Sequence, residues 1–137
     1  MAADILKTYI KNPNFKILIA PISGVDTERF RPGLSSDFRQ KHNLGDKIVL
    51  TFVGVFDQRK GISTLLQAFL ELHNENPRLH LVMVGTGPLQ DDIEQFKHSN
   101  HLDDSMTVLN WLPNEELPCV LCTSDIFVHP SEPYGGW

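Results

Sequence analysis

Residues 48–54, Ile48-Val49-Leu50-Thr51-Phe52-Val53-Gly54, decide the fold: a short apolar run that stops on a glycine. A strand with one wet face alternates apolar and polar side chains. A strand covered on both faces reads as a continuous apolar run, the pattern of a parallel sheet. The pattern returns at Leu79–Val84, ahead of Gly85-Thr86-Gly87-Pro88, at Met106-Thr107-Val108-Leu109, and at Ile126-Phe127-Val128-His129. Between these runs the apolar period becomes that of a helix. Over 63–75, Leu65, Leu66, Phe69 and Leu72 share one face and Pro77 stands just past the end. Over 89–98, Leu89, Ile93 and Phe96 face inward, and 115–122 reads as a shorter helix. Strand and helix in alternation with short links imply right-handed crossovers. The expected fold is α/β, a Rossmann-like, doubly wound parallel sheet of about four strands.

Upstream, a short helical stretch precedes a candidate strand at 15–20, and a Gly- and Pro-punctuated connection runs from Pro21 to Pro32. A helix is expected over 35–42, with Asn43-Leu44-Gly45-Asp46 as its stop. Downstream, the sequence reaches Trp137 directly after the fourth strand, where a doubly wound domain calls for another helix and more strands. An incomplete domain is the expectation.

A chain of 137 residues suffices for one cored domain and is short for two. With 41% hydrophobic and 21% charged residues and no biased tract, it reads as globular rather than disordered. The net charge of -5 and the scattered Lys and Arg argue against a nucleic-acid or anionic-membrane surface. No run approaches the roughly 18 apolar residues of a membrane span, and the first residues lack the basic-then-apolar order of a signal peptide. A cytoplasmic protein is expected. The two cysteines, Cys119 and Cys122, have the spacing of a redox or metal half-motif but no second pair. Three apart on a helix they share a face, and they read as small buried side chains in a reducing compartment.

Ligands of such sheets bind outside the carboxyl ends of the strands, where strand order reverses. The loops after Val53, Val84, Leu109 and Val128 are therefore the candidate site. In Gly54-Val55-Phe56-Asp57-Gln58-Arg59-Lys60-Gly61, two glycines permit close backbone approach. The helix that follows points its free N–H groups at whatever binds, so a lysine beside it suits a diphosphate. The competing reading of that loop is a plain turn with solvated charges. Gly85-Thr86-Gly87-Pro88 resembles the start of a dinucleotide fingerprint, but Gln90 stands where the third glycine belongs, and a tight turn is the preferred reading. In Pro130-Ser131-Glu132-Pro133-Tyr134-Gly135, Glu132 can accept hydrogen bonds from sugar hydroxyls. His129 reads as a packed or snorkelling side chain rather than a base, since nothing in the sequence orients it. His73, His80, His98 and His101 read as solvated or capping groups.

Taken in order, these segments resemble the retaining glycosyltransferases of family 4, or group 1, from about Ile17 to Tyr134. Ile22-Ser23-Gly24-Val25-Asp26 through Phe30-Arg31-Pro32 is similar to the family's crossover segment. Phe52-Val53-Gly54, Lys60-Gly61 and Leu65-Leu66-Gln67-Ala68-Phe69 resemble its donor-phosphate loop and helix. Leu81 to Leu89, then Trp111-Leu112-Pro113 with Glu115-Glu116-Leu117-Pro118, are similar to its second and third strand-and-turn segments. Asp125 to Gly135 looks like the start of its paired-glutamate motif. The resemblance implies the C-terminal half of a GT-B fold: residues 47–137 as an incomplete nucleotide-sugar-binding domain, and 1–46 as the end of the preceding domain with its linker. It implies strand order 3-2-1-4 for the strands present, and transfer of a hexosyl group with retention from a UDP-, GDP- or ADP-sugar, without a bound metal or other cofactor.

Residue by residue, the resemblance implies that Lys60 neutralises the leaving diphosphate, Gly54 lets the backbone approach the donor, and Glu132 contacts the sugar. It puts Leu112 and its neighbours in the base pocket, and Val55, Arg59, Tyr134 and Gly135 around the donor. The sequence departs from the family at Val55, where arginine is usual, at Asn110 in place of a glycine, and at Ser23 in place of an asparagine. The second glutamate would lie beyond Trp137, so this chain alone is expected to be inactive. A non-catalytic binding or assembly module is the alternative, and a nicotinamide-binding dehydrogenase is a third reading handicapped by the missing glycine. An order of 3-2-1-4 would also leave the fourth strand as an apolar edge, and homo-oligomers through that edge are expected.

Overall fold

The computed structural model describes residues 24–34 and 37–131. The strand expected at 15–20, Ser23, and the site residues Glu132, Tyr134 and Gly135 lie outside the described residues. The chain divides into two compact units, residues 1–30 and 31–137. In the described part of the first, Asp26 closes a turn: its side chain accepts the N–H groups of Glu28 and Arg29, and its carbonyl that of Phe30.

The second unit holds the sheet. A short helix α1 (Phe38–Lys41) leads to β1 (Ile48–Val53), a 3₁₀ turn (Gln58–Lys60) and α2 (Ile62–Glu75). Then follow β2 (Leu79–Val84), α3 (Gln90–Ser99), β3 (Met106–Leu109), α4 (Leu117–Thr123) and β4 (Ile126–Phe127). The strands are parallel in the order β3-β2-β1-β4, with Ile48 beside Leu79, Leu81 beside Met106, and Leu50 beside Ile126. The doubly wound sheet expected from the apolar runs is the fold.

Alternation along the central strands builds a core on each face. Leu50, Phe52, Leu81 and Met83 meet Phe56, Ile62, Leu65, Leu66 and Phe69 from the β1 loop and α2, with Ile93 of α3. Val49, Val82 and Val84 turn the other way, onto Phe38, Leu44 and Val120. Every residue of β2 is buried. Each large side chain closed off from water here contributes roughly 1.5–3 kcal/mol, which is why the strands carry so little polarity.

Four details differ from the sequence reading. Leu72 is 48% exposed, because the inner position of the last turn of α2 goes to His73, whose ring stacks on Phe69 at 5.5 Å. The buried stripe of α4 runs through Val120 and Thr123, one position past each cysteine. Cys119 and Cys122 are consequently half-buried free thiols, and the Cys122 thiol donates to the Arg31 carbonyl at 3.2 Å. His80 is neither solvated nor a cap. It is 3% exposed within β2, with Nε2 at 2.8 Å from Thr107 Oγ1, and burial pushes its pKa down to about 4. Finally, β4 is a strand of two residues, Ile126–Phe127, rather than 126–129; their half-exposed side chains are those of the expected apolar edge, since β1 flanks it on one side only among the described residues.

Candidate functional site

The carboxyl ends of the strands open into a cleft of about 470 Å³ lined by Val53, Gly54 and Val55 after β1, Val84, Gly85 and Thr86 after β2, and Trp111, Leu112, Asn114 and Leu117 after β3. It exists because the β1 and β2 loops are sewn together by their backbones. Gly54 N–H donates to Val84 O, Phe56 N–H to Thr86 O, Leu89 N–H to Phe56 O, and Gly85 N–H to Leu109 O, each at 3.0 Å. Gly85 makes this possible: at φ +151°, a Cβ there would run into the Gly54 carbonyl. Gly85-Thr86-Gly87 is thus a loop-to-loop clasp, in keeping with the tight turn preferred from sequence. Val55 is 55% and Trp111 72% exposed, so the cleft has an apolar floor and an aromatic rim. Thr86 and Asn114 carried no site assignment from sequence, whereas Trp111 adjoins Leu112 as a neighbour.

Lys60 lies on the other flank of the β1 loop, at the end of the 3₁₀ turn, half-buried and outside the lining of the cleft. The next residue, Gly61, is left-handed at φ +67°, and a Cβ on it would collide with the Pro130 carbonyl. This close approach brings the β1 loop against the loop after β4. Lys60 therefore stands where strand order reverses between β1 and β4, one residue before the open end of α2, whose N-cap Gly61 offers no side-chain acceptor. Free N–H groups and a lysine at one point favour an anion. Among the described residues, no carboxylate forms an ion pair with Lys60.

Arg59 is placed differently. Its Nε and Nη2 lie 3.0 and 3.3 Å from the two carboxylate oxygens of Asp57, and its own backbone N–H donates to Asp57 Oδ1 at 2.9 Å. The guanidinium hydrogen bonds and then the backbone N–H hold the Asp57 carboxyl below the usual range, and the same carboxylate raises Arg59. His129 is oriented after all. It stacks nearly parallel on Phe52 at 6.1 Å and on Phe127 at 6.3 Å, with Nε2 3.1 Å from Ser131 Oγ. The ring is exposed all the same, so it lies over these aromatics as a surface side chain rather than a buried one. Among the described residues no cluster of His, Cys, Asp or Glu fits a metal ion, and no helix is long and apolar enough to cross a membrane.

The site therefore gathers Gly54, Val55 and Leu112 in one cleft and sets Lys60 beside Pro130 on the other flank of the same loop. Comparisons with known proteins identify the family. The sequence model of the family described as "Glycosyl transferases group 1" matches residues 35–135. The GDP-mannose-dependent alpha-(1-6)-phosphatidylinositol monomannoside mannosyltransferase of Mycolicibacterium smegmatis is 30% identical over 114 residues, which cover 82% of this chain and 30% of that protein. The chain thus spans under a third of the length of that relative. Among solved structures, the C-terminal domain of the group 1 family glycosyl transferase LpcC from Francisella tularensis superposes with a TM-score of 0.68 at 23% identity, covering 79% of this chain and 59% of that one. HepE of Anabaena, solved with UDP-glucose, superposes with a TM-score of 0.60 at 17% identity over 69% of this chain and 26% of its own. With the family's sequence pattern running from α1 through every strand of the sheet, the chain belongs to the group 1 glycosyl transferases.

Proposed function

We propose that this chain forms the donor half-site of a retaining, family-4-type glycosyltransferase, and that it holds a nucleotide-sugar across the β1 loop. The observation that carries the reading is the division of that loop's surroundings. An apolar, aromatic-rimmed cleft lies on the β2–β3 side, and a lysine at a helix N-terminus stands at the β1–β4 junction. A nucleobase offers flat faces for apolar and aromatic contact, and a diphosphate is a compact anion; the two flanks suit them in that order. The base rests against Leu112 with Trp111 at its edge, Gly54 gives the ribose and phosphates room, and Lys60 meets the diphosphate. Charge grows on the leaving diphosphate as the sugar bond breaks, so Lys60 assists most in the transition state. Glu132, Tyr134 and Gly135, outside the described residues, are assigned to the donor by resemblance, with Glu132 on the sugar. A relative is GDP-mannose-dependent and a structural neighbour was solved with UDP-glucose, so the base is left to experiment.

Ligand-observed NMR against UDP, GDP, ADP and their hexose conjugates tests the reading, with NADH as the control for a dinucleotide site. One nucleotide series is expected to show saturation transfer, and Lys60→Ala is expected to weaken it about 10- to 100-fold, the worth of one charge-assisted contact. A folded protein that ignores every nucleotide, or one that prefers NADH, sinks the proposal.

A further inference from the structure

Resting on the donor-site reading, a second role follows from how the β1 loop is held. Its front end is fixed by the Gly54 and Phe56 N–H groups on the β2 loop, and its rear by Gly61 against Pro130. Between them the Gln58–Lys60 turn is a single 3₁₀ turn, too short to be stable on its own bonds. Its backbone closes Lys60 N–H on Asp57 O and Gly61 N–H on Gln58 O, each at 3.0 Å. The Arg59 N–H is held by the Asp57 side chain.

We propose that Asp57 is a positioning residue for Lys60: its Oδ1 caps the turn and so sets where the lysine presents its ammonium group to the donor diphosphate. The Asp57 side chain is 25% exposed and that of Arg59 71%, so the carboxylate sits inside the turn and the guanidinium covers it from the solvent side. The capping bond to the Arg59 N–H does not depend on the guanidinium and survives its removal. Arg59 is then a cover on the cap rather than the substitute for the arginine that the family carries where Val55 stands. The opposite arrangement, in which Asp57 withholds Arg59 from the diphosphate until the donor arrives, uses the same ion pair. It predicts the opposite sign: freeing Arg59 would tighten binding.

The test compares Asp57→Ala, Asp57→Asn and Arg59→Ala with the wild-type chain by two measurements. Amide hydrogen exchange at Arg59, Lys60 and Gly61 in ligand-free protein reports the cap. Titration with the nucleoside diphosphate that the wild type binds, and with its parent nucleoside, reports the consequence. Asp57→Ala is expected to speed exchange and to weaken the diphosphate about fivefold, the ordinary worth of a lost cap. The nucleoside, which lacks the group Lys60 meets, should be unaffected. Asparagine caps as well as aspartate, so Asp57→Asn should restore both readouts, and Arg59→Ala should stay within about twofold. Tighter or unchanged binding in Asp57→Ala overturns the positioning role, as does failure of asparagine to rescue it. If the wild type binds no nucleotide at all, it is the donor reading that fails; exchange then decides the cap alone, and unchanged protection in Asp57→Ala overturns it.

Discussion

At the amino end of the sheet, Arg39 gives its guanidinium to three carbonyls, those of Gly45, Lys47 and Thr123, at 3.2, 2.5 and 2.7 Å. Lys47 reaches the Asp104 carbonyl and Arg78 the Asp46 carbonyl. Asp125 accepts the Val49 N–H at 2.7 Å and lies 3.5 Å from Arg39. At the carboxyl end, Lys60 has no such partner among the described residues, Trp111 and Val55 face water, and α2 opens on a glycine without a side-chain cap. Both ends contain loops, cations and helix termini. The difference is whether those groups are already matched by the chain's own dipoles. A cation locked on carbonyls ties elements together; one left unmatched at a strand's carboxyl end is available to a ligand.

Gly61→Ala should break the division most visibly, because it lies at the open end yet is held by packing. Its left-handed φ and the Pro130 carbonyl both oppose a Cβ, and a loss of about 3 kcal/mol is expected in denaturant unfolding together with loss of nucleotide binding. Arg39→Ala should cost about 3 kcal/mol, as several carbonyls lose one charged donor. The surviving folded protein should bind nucleotide as before. Lys60→Ala is the mirror image, with stability within about 0.5 kcal/mol of wild type and affinity down about 10- to 100-fold. Equal effects of Arg39→Ala and Lys60→Ala on both readouts would dissolve the distinction.

His80 extends the comparison to pH. Burial, and then the nearby Lys47 charge, push its pKa from the ordinary 6.5 to about 4. Below 6.5 the unfolded chain takes up a proton that the folded chain refuses, so stability should fall between pH 6.5 and 4 and level off beneath. The full loss is about 2 kcal/mol, allowing for partial solvent screening. Denaturant melts of wild type and His80→Leu across that range would check it, the variant losing this part of the acid slope. Nucleotide affinity should not follow the same curve, since His80 lies at the matched end.

The central strands were legible because burial on both faces writes itself into an unbroken apolar run, and β2 matched its expected bounds from Leu79 to Val84; their order came only with the family resemblance. The loops that carry Gly54, Lys60 and Leu112 were legible for a related reason: strand ends tell where a doubly wound sheet opens. What the sequence could not show was pairing. Asp57 and Arg59 are adjacent in any solvated turn, and only the fold reveals that the carboxylate takes both the backbone N–H and the guanidinium. The cysteines and Leu72 were misjudged by one helical position, an angle of about 100° that decides between core and half-exposure. His80 was misjudged because a polar residue at the start of an apolar run resembles a boundary until a partner such as Thr107 is found across the sheet.

The smallest expected effect concerns the surface that joins the two ends. From Asp125 at the matched end to Pro130 at the open end, β4 presents Ile126 and Phe127, 49% and 54% exposed, with half of its ladder unpaired among the described residues. An unpaired apolar edge favours pairing with another strand. In the 137-residue chain the partner expected is a second copy. Two residues of strand supply few backbone bonds, so the association should be weak, a sedimentation coefficient that rises with protein concentration rather than a permanent dimer. Phe127→Lys places a charge on that edge and should return the chain to a monomer, with a stability change below about 1 kcal/mol because the side chain is already half in water. Wild type that sediments as a monomer at every concentration would show the edge to be blunt despite its apolar side chains. Were Phe127→Lys to unfold the chain instead, the stack of Phe52, His129 and Phe127 would have to be counted as core.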